Sequence, residues 1–296
     1  MPSPITIDWQ RSVIQAITVN GRDYFLKRDD LLAPISGNKA RKLEGLLNQD
    51  LSDVQRLVSY GGAQSNAMLA LAQLANLLNI RFDYYTRPLP KWLKASPNGN
   101  LQAALSYGMR WHISETGQPP TDIALASDPH TRLIPQGISM PEAAIGIKRL
   151  ADEIQSFCDA QNIEDLAVVL PSGTGATALY LQQYLSHMVY TIPCIGDRKT
   201  LEQLFKQLEP NAKQYPEILD TQKRYHFGEP HPELLTMYQQ LLEETGVEFE
   251  LLYDAKAWLV LQEWACDKPI LYLHNGGVSG NASMLARYRR LNDSAQ

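Results

Sequence analysis

Short apolar runs that end in glycine-rich turns alternate with longer stretches of helical periodicity along this chain. Val168-Val169-Leu170 is wholly apolar and enters Pro171-Ser172-Gly173, the pattern of a buried strand running into a turn; a helix is expected from about Ala176. Val189 to Ile195 reads as the next strand, and Ile270-Leu271-Tyr272-Leu273, ending in His274-Asn275-Gly276-Gly277, as another. Gln55 to Tyr60 predicts a strand closed by Gly61-Gly62, with a helix from about Ser65. Ser139-Met140-Pro141-Glu142 has the spacing of a capping box, and Ala143, Ile147, Leu150, Ile154 and Phe157 then recur at helical spacing.

Strands alternating with helices predict an α/β fold of parallel sheets flanked by helices. The 296 residues suggest two domains. The larger is expected from residues 1–46 and 138–296, and the smaller from 47–137. The turn-rich stretches Pro88 to Pro97 and Gly117 to Pro120 would lie on the surface of the smaller one.

A formal net charge of −5, with no Lys/Arg block, argues against nucleic acid or a membrane surface as a partner. Ala67 to Leu78, the most apolar long stretch, is interrupted by Gln73 and Asn76 and is too short to span a bilayer. Met1 to Pro4 shows no secretion signal, and Cys158, Cys194 and Cys266 stand apart with no CxxC pair. A cytoplasmic protein without a metal site is the expectation.

Four groups of residues carry candidate chemistry. In Lys27-Arg28-Asp29-Asp30 and Ser36-Gly37-Asn38-Lys39-Ala40-Arg41-Lys42, a Gly-Asn turn delivers Lys39 to a helix start. Neighbouring cations and partial desolvation would lower its pKa, as a nucleophilic amine requires, although the cluster alone also fits a solvated basic face. Gly61-Gly62-Ala63-Gln64-Ser65-Asn66 suits a carboxylate at backbone N–H groups of Ser65 and Asn66, or simply a turn capped by Ser65. Pro171-Ser172-Gly173-Thr174-Gly175-Ala176-Thr177 suits a phosphate. It also matches a dinucleotide fingerprint through Gly173, Gly175 and Ala178, with Asp197 as the ribose-binding acid, so a nicotinamide-dependent oxidoreductase competes. The last group joins Tyr253-Asp254 with His274-Asn275-Gly276-Gly277: Asp254 could protonate a pyridine nitrogen, while His274 and Tyr253 each also fit structural roles.

In this order and spacing, "KRDD", "SGNKARKLE", "GGAQSN" and "PSGTGAT" resemble the D-cysteine desulfhydrase and 1-aminocyclopropane-1-carboxylate (ACC) deaminase family. That family belongs to the tryptophan-synthase-β-like, fold type II, pyridoxal 5′-phosphate (PLP) enzymes. The resemblance spans about Phe25 to Gly277 and implies a two-domain fold, each domain a mostly parallel twisted sheet flanked by helices. It implies that Lys39 holds PLP as a Schiff base and moves protons, that Lys42 contacts the phosphate, and that Gly173, Thr174, Gly175, Ala176 and Thr177 form the phosphate loop. Asn66 matches the residue that bonds the cofactor's 3′-oxygen. Ser65, beside Gln64 and Asn66, matches the serine near the substrate carboxylate, and Tyr253 an active-site tyrosine. Asp254 stands where ACC deaminases carry a glutamate facing the pyridine nitrogen, and Asn275 lies in the turn that desulfhydrases write "HTGG".

Two departures fall on the substrate side. Phe227, in Phe227-Gly228-Glu229-Pro230, replaces a second tyrosine of ACC deaminases, and Ala67 follows "QSN" where many relatives carry His or Gln. The activity implied is deamination of a small amino acid, with β-elimination to a 2-oxo acid and ammonia ranked above ACC ring opening to 2-oxobutanoate. A PLP-binding protein with little turnover is a further alternative. A homodimer is the implied assembly.

Overall fold

The computed structural model describes residues 5–120, 128–220 and 223–294, so Met1 to Pro4 lie outside the described residues. Strands β1 (Ile14–Val19) and β2 (Arg22–Lys27) form an antiparallel hairpin. Its turn is Asn20-Gly21, both at positive φ, a hairpin signal present in the sequence but absent from the expectations above. β2 pairs in parallel with β10 (Ile270–Leu273). The sheet continues through β7 (Ala167–Ser172), β8 (Val189–Pro193) and β9 (Glu217–Ile218), in the order β1-β2-β10-β7-β8-β9. β7 and β10 are buried at every position, which is why they read as unbroken apolar runs.

A second sheet is wholly parallel. It sets β5 (Arg110–Ile113), β4 (Arg81–Thr86), β3 (Arg56–Tyr60) and β6 (Thr131–Leu133) side by side in that order. Ten helices are described: α1 (Gly37–Leu47), α2 (Asn66–Leu78), α3 (Lys91–Ala95), α4 (Gly99–Ser106), α5 (Ala143–Gln161), α6 (Ala176–Tyr184), α7 (Arg198–Leu208), α8 (Pro232–Thr245), α9 (Asp254–Glu263) and α10 (Asn281–Ser294). Within the turn-rich Pro88–Pro97 stretch, α3 adds a short helix that turn composition alone did not indicate: the Pro90 carbonyl accepts from the N–H groups of Leu93 and Lys94 and starts it.

The predicted capping box at Ser139 does not form. α5 begins at Ala143 and has no side-chain cap. The cause is packing: α1 and α5 meet at Gly45 and Gly146, where a Cβ would overlap the carbonyls of Glu142 and Arg41 respectively. Glu142 is pressed against α1, and the helix starts after it. The repeat Ala143, Ile147, Leu150 and Ile154 is buried as its spacing predicts. Among the described residues, no helix is long and apolar enough to cross a membrane.

Candidate active site

The C-terminal ends of β3, β7 and β10 and the start of α1 surround one cavity of about 330 Å³, where parallel sheets commonly bind ligands. Of the residues singled out from sequence, Lys39, Lys42, Gln64, Ser65, Asn66 and Asn275 line it. So do Gly173, Thr174, Gly175, Thr177, Tyr253 and Asp254. Ala176 does not: it is fully buried in the first turn of α6, behind the loop.

Lys39 rises from the first turn of α1. Its Nζ donates to Asn38 Oδ1 at 2.6 Å, and the Asn38 N–H donates to the Asn275 carbonyl at 3.0 Å. Burial lowers its pKa to about 8, leaving a useful fraction of neutral amine near neutrality. Arg41, expected to help through its charge, points elsewhere. It is fully buried and donates to Asp29 Oδ1 at 2.7 Å and to both Glu153 oxygens at 2.7 Å, so its charge is absorbed in the framework.

Lys42 is buried, and its Nζ donates to the Gly137 carbonyl at 3.1 Å. Burial, with Lys39 beside it, pushes its pKa well down. No described carboxylate pairs with either lysine. A buried and a half-buried amine in the cavity that the Gly173–Thr177 loop lines, at the N-terminus of α6, therefore make a place for an anion.

On the opposite wall, Ser65 Oγ accepts from the N–H groups of Ala67 and Met68 at 3.2 and 3.3 Å, so it caps α2. The Ser65 N–H, expected to serve a carboxylate, is spent on the Gly62 carbonyl at 3.1 Å. The Gln64 amide is committed to the start of α4: Nε2 donates to the Asn98 carbonyl and Oε1 accepts from the Asn100 N–H. Asn66 Oδ1 accepts from Asn100 Nδ2 at 2.7 Å.

Tyr253 and Asp254 enter at the start of α9. The Glu250 carboxylate accepts from the N–H groups of Leu252 and Tyr253, at 2.8 and 2.6 Å, and shapes this turn. Asp254 is itself held twice: Oδ1 accepts from the Tyr272 hydroxyl at 2.7 Å, and Oδ2 from the Glu250 N–H at 2.9 Å. Burial raises the pKa of Asp254; burial and the Asp254 charge push Glu250 up to about 8. Burial also raises the Tyr253 phenol. Phe227 packs edge-on against Tyr253, ring centroids 5.2 Å apart, and lines the cavity with Ala67 and Ile195. Both substrate-side departures therefore border the cavity.

Asn275 Nδ2 donates to the Pro171 carbonyl at 3.2 Å, and its buried Oδ1 has no partner among the described residues. His274 is accounted for structurally: Nδ1 accepts from the Gly276 N–H at 3.1 Å and Nε2 lies 2.9 Å from the Glu248 carbonyl. Asp197 caps α7 by accepting from the Thr200 N–H at 2.9 Å and hydroxyl at 2.7 Å, and it is exposed outside the cavity. The dinucleotide reading thereby loses its ribose-binding acid.

Sequence reasoning passed over Glu250, Asn100 and Ser279. For Glu250 a signal existed, an acid four residues ahead of Asp254 at a helix start. Asn100 and Ser279 reach the site only through pairing across the fold.

No protein-family model matches the chain, and no curated protein does. Solved structures do. An ACC deaminase homologue is 22% identical, with 94% of each chain covered and a TM-score of 0.73. A pyridoxal 5′-phosphate-dependent aspartate racemase is 13% identical, covering 90% of each chain at a TM-score of 0.64. A hydrogen sulfide-producing enzyme from Fusobacterium nucleatum is 10% identical, covering 90% of this chain and 93% of its own at 0.61. At these identities the likeness speaks for the fold: the chain has the α/β architecture of fold type II PLP enzymes.

Proposed function

We propose that the protein binds PLP in this cavity and deaminates a small amino acid by β-elimination, giving a 2-oxo acid, ammonium and the protonated leaving group. The observation that carries the proposal is a half-buried Lys39 with its pKa lowered to about 8, sharing one cavity with an anion-ready glycine loop and with Lys42, a second lysine that no described carboxylate pairs. The residues fit the group. Lys42 and the Gly173–Thr177 loop offer charge and N–H groups to a phosphate, and Asn275 offers a buried oxygen still lacking a partner.

When bound, PLP supplies an electron sink for negative charge at the substrate Cα. Lys39 Nζ is the amine that would hold the group covalently and, when free, would serve as general base for the substrate Cα proton. Asp254, fixed by Tyr272 and Glu250, would hold a proton on the ring nitrogen, and Asn66 would donate to the ring oxygen. Ser65 and Gln64 border the substrate end, and Tyr253 bounds it with its hydroxyl over Gly173.

ACC ring opening is the second reading, and Asp254 favours it because a carboxylate at the ring nitrogen strengthens the sink. Phe227 counts against it, since the face that packs on Tyr253 carries no hydroxyl.

The test is a visible spectrum of the purified protein with PLP, titrated in turn with D-cysteine, L-cysteine, D-serine and ACC, with Lys39→Ala as control. A Lys39-dependent band that shifts with one amino acid and yields its 2-oxo acid supports the proposal. A band that none of them moves removes both activities. A protein that stays colourless with PLP removes the cofactor itself.

A further inference from the structure

We propose that Asn100 is a positioning residue that sets which end of the Asn66 amide faces the cavity, an inference that rests on the PLP reading above. Asn100 is fully buried in the first turn of α4. Its N–H donates to Gln64 Oε1 at 2.9 Å, and its Nδ2 donates to the Gln64 carbonyl at 3.0 Å and to Asn66 Oδ1 at 2.7 Å. Its Oδ1 accepts from Ser279 Oγ at 2.7 Å.

The orientation of this chain of amides is not arbitrary, because backbone groups anchor it. The Gln64 carbonyl can only accept, so the Asn100 atom it meets is the nitrogen. The second N–H of that nitrogen requires another acceptor, so Asn66 turns its oxygen to Asn100 and its NH2 away. Asn66 Nδ2 then lies where a Cβ on Gly277 would overlap it, and glycine keeps that space open beside the cavity. The site thus presents an N–H donor to the cofactor's ring oxygen, which favours that oxygen as an anion. Ser279, between β10 and α10, ties the arrangement to the larger sheet.

The experiment reconstitutes wild type, Asn100→Asp, Asn66→Asp and Ser279→Ala with PLP and follows the pH midpoint of the visible band. Asp at position 100 cannot donate, so Asn66 rotates and offers its oxygen to the cavity. The ring oxygen then holds the neighbouring proton more tightly, and the midpoint rises by roughly one to two pH units, the worth of one charge-assisted hydrogen bond. Asn66→Asp keeps Asn100 and gives a rise in the same direction, which sets the size of a complete loss of the donor; Asn100→Ser, which lacks the amide nitrogen, is read in the same way should Asn100→Asp not fold. Ser279→Ala leaves both Nδ2 bonds of Asn100 intact and keeps the wild-type midpoint, with a lower melting temperature. An unmoved midpoint in the folded Asn100 variant, whatever Asn66→Asp does, or an equal shift in Ser279→Ala, overturns the assignment while the PLP reading stands. A wild type with no Lys39-dependent band overturns the PLP reading and this inference with it.

Discussion

Replacing Lys39 by methionine isolates the free energy that the fold spends on holding an amine in this cavity. The pKa falls from 10.5 to about 8 on burial. At about 1.4 kcal/mol per unit, charging the buried amine costs about 3 kcal/mol at most, since water in the cavity solvates part of the charge. Methionine matches the unbranched stem and removes that cost, but it leaves Asn38 Oδ1 without its donor, which takes back about 1 kcal/mol. The expected net gain for the apoprotein at pH 7 is about 2 kcal/mol, or roughly 4 °C in melting temperature for a chain of this size. The sign follows from proton binding. Between pH 8 and 10.5 the unfolded chain holds a proton on Lys39 that the folded protein does not, so wild-type stability rises with pH across this window. The advantage of Lys39→Met therefore shrinks from pH 8 upward, vanishes near about pH 10 where the remaining charging cost equals the lost Asn38 bond, and reverses above it. Thermal melts of both apoproteins from pH 6.5 to 10.5 provide the assay. A variant less stable than wild type at pH 7, or a difference that does not change with pH, would refute the burial account.

Three more outcomes follow from the same geometry. Asp29→Asn removes the fully buried one of Arg41's two counter-charges, leaving Glu153, and should cost about 2–3 kcal/mol in urea unfolding; burial would raise the Asp29 pKa, but Arg41, Lys27 and the Ser12 hydroxyl together outweigh it and hold the carboxyl below its usual range, so wild type loses this support only as the pH falls through that lowered value. Gly277→Ala, at φ 90° and against Asn66 Nδ2, should keep the fold at a loss of about 1–2 kcal/mol and weaken PLP binding by roughly tenfold, read by fluorescence titration. Phe227→Tyr places a hydroxyl against Tyr253 and should raise 2-oxobutanoate formation from ACC by about tenfold or more; no rise would show that this hydroxyl is not what the ring-opening reaction lacks.

The legible features were those written in contiguous residues. The apolar runs of β7 and β10, the helical repeat of α5 and the glycine turns at Gly61 and Gly173 each act within a few positions, so their pattern survives without knowledge of the fold. Lys39 and Asp254 were legible for a related reason: each sits at a helix start, where local sequence already limits what the side chain can meet. What the chain alone could not decide was where its polar side chains spend their bonds. Arg41 follows Lys39 by two positions, yet on a helix that spacing points it to another face, where Asp29 and Glu153 take its charge. Asp197 had the spacing of a ribose ligand and became a helix cap, while Ser139 had the spacing of a cap and lost it to the contact between α1 and α5. Asn100 and Ser279, which lie behind the cavity wall and bond to each other and to Asn66, meet across 179 positions of sequence. Sequence by itself determined these elements and the placement of Lys39 at a helix start, because these depend on local periodicity and turn chemistry. Only the tertiary structure decided which polar groups face the cavity and which are consumed by the backbone, because that choice is made where turns and helix starts from distant parts of the chain meet around the cavity.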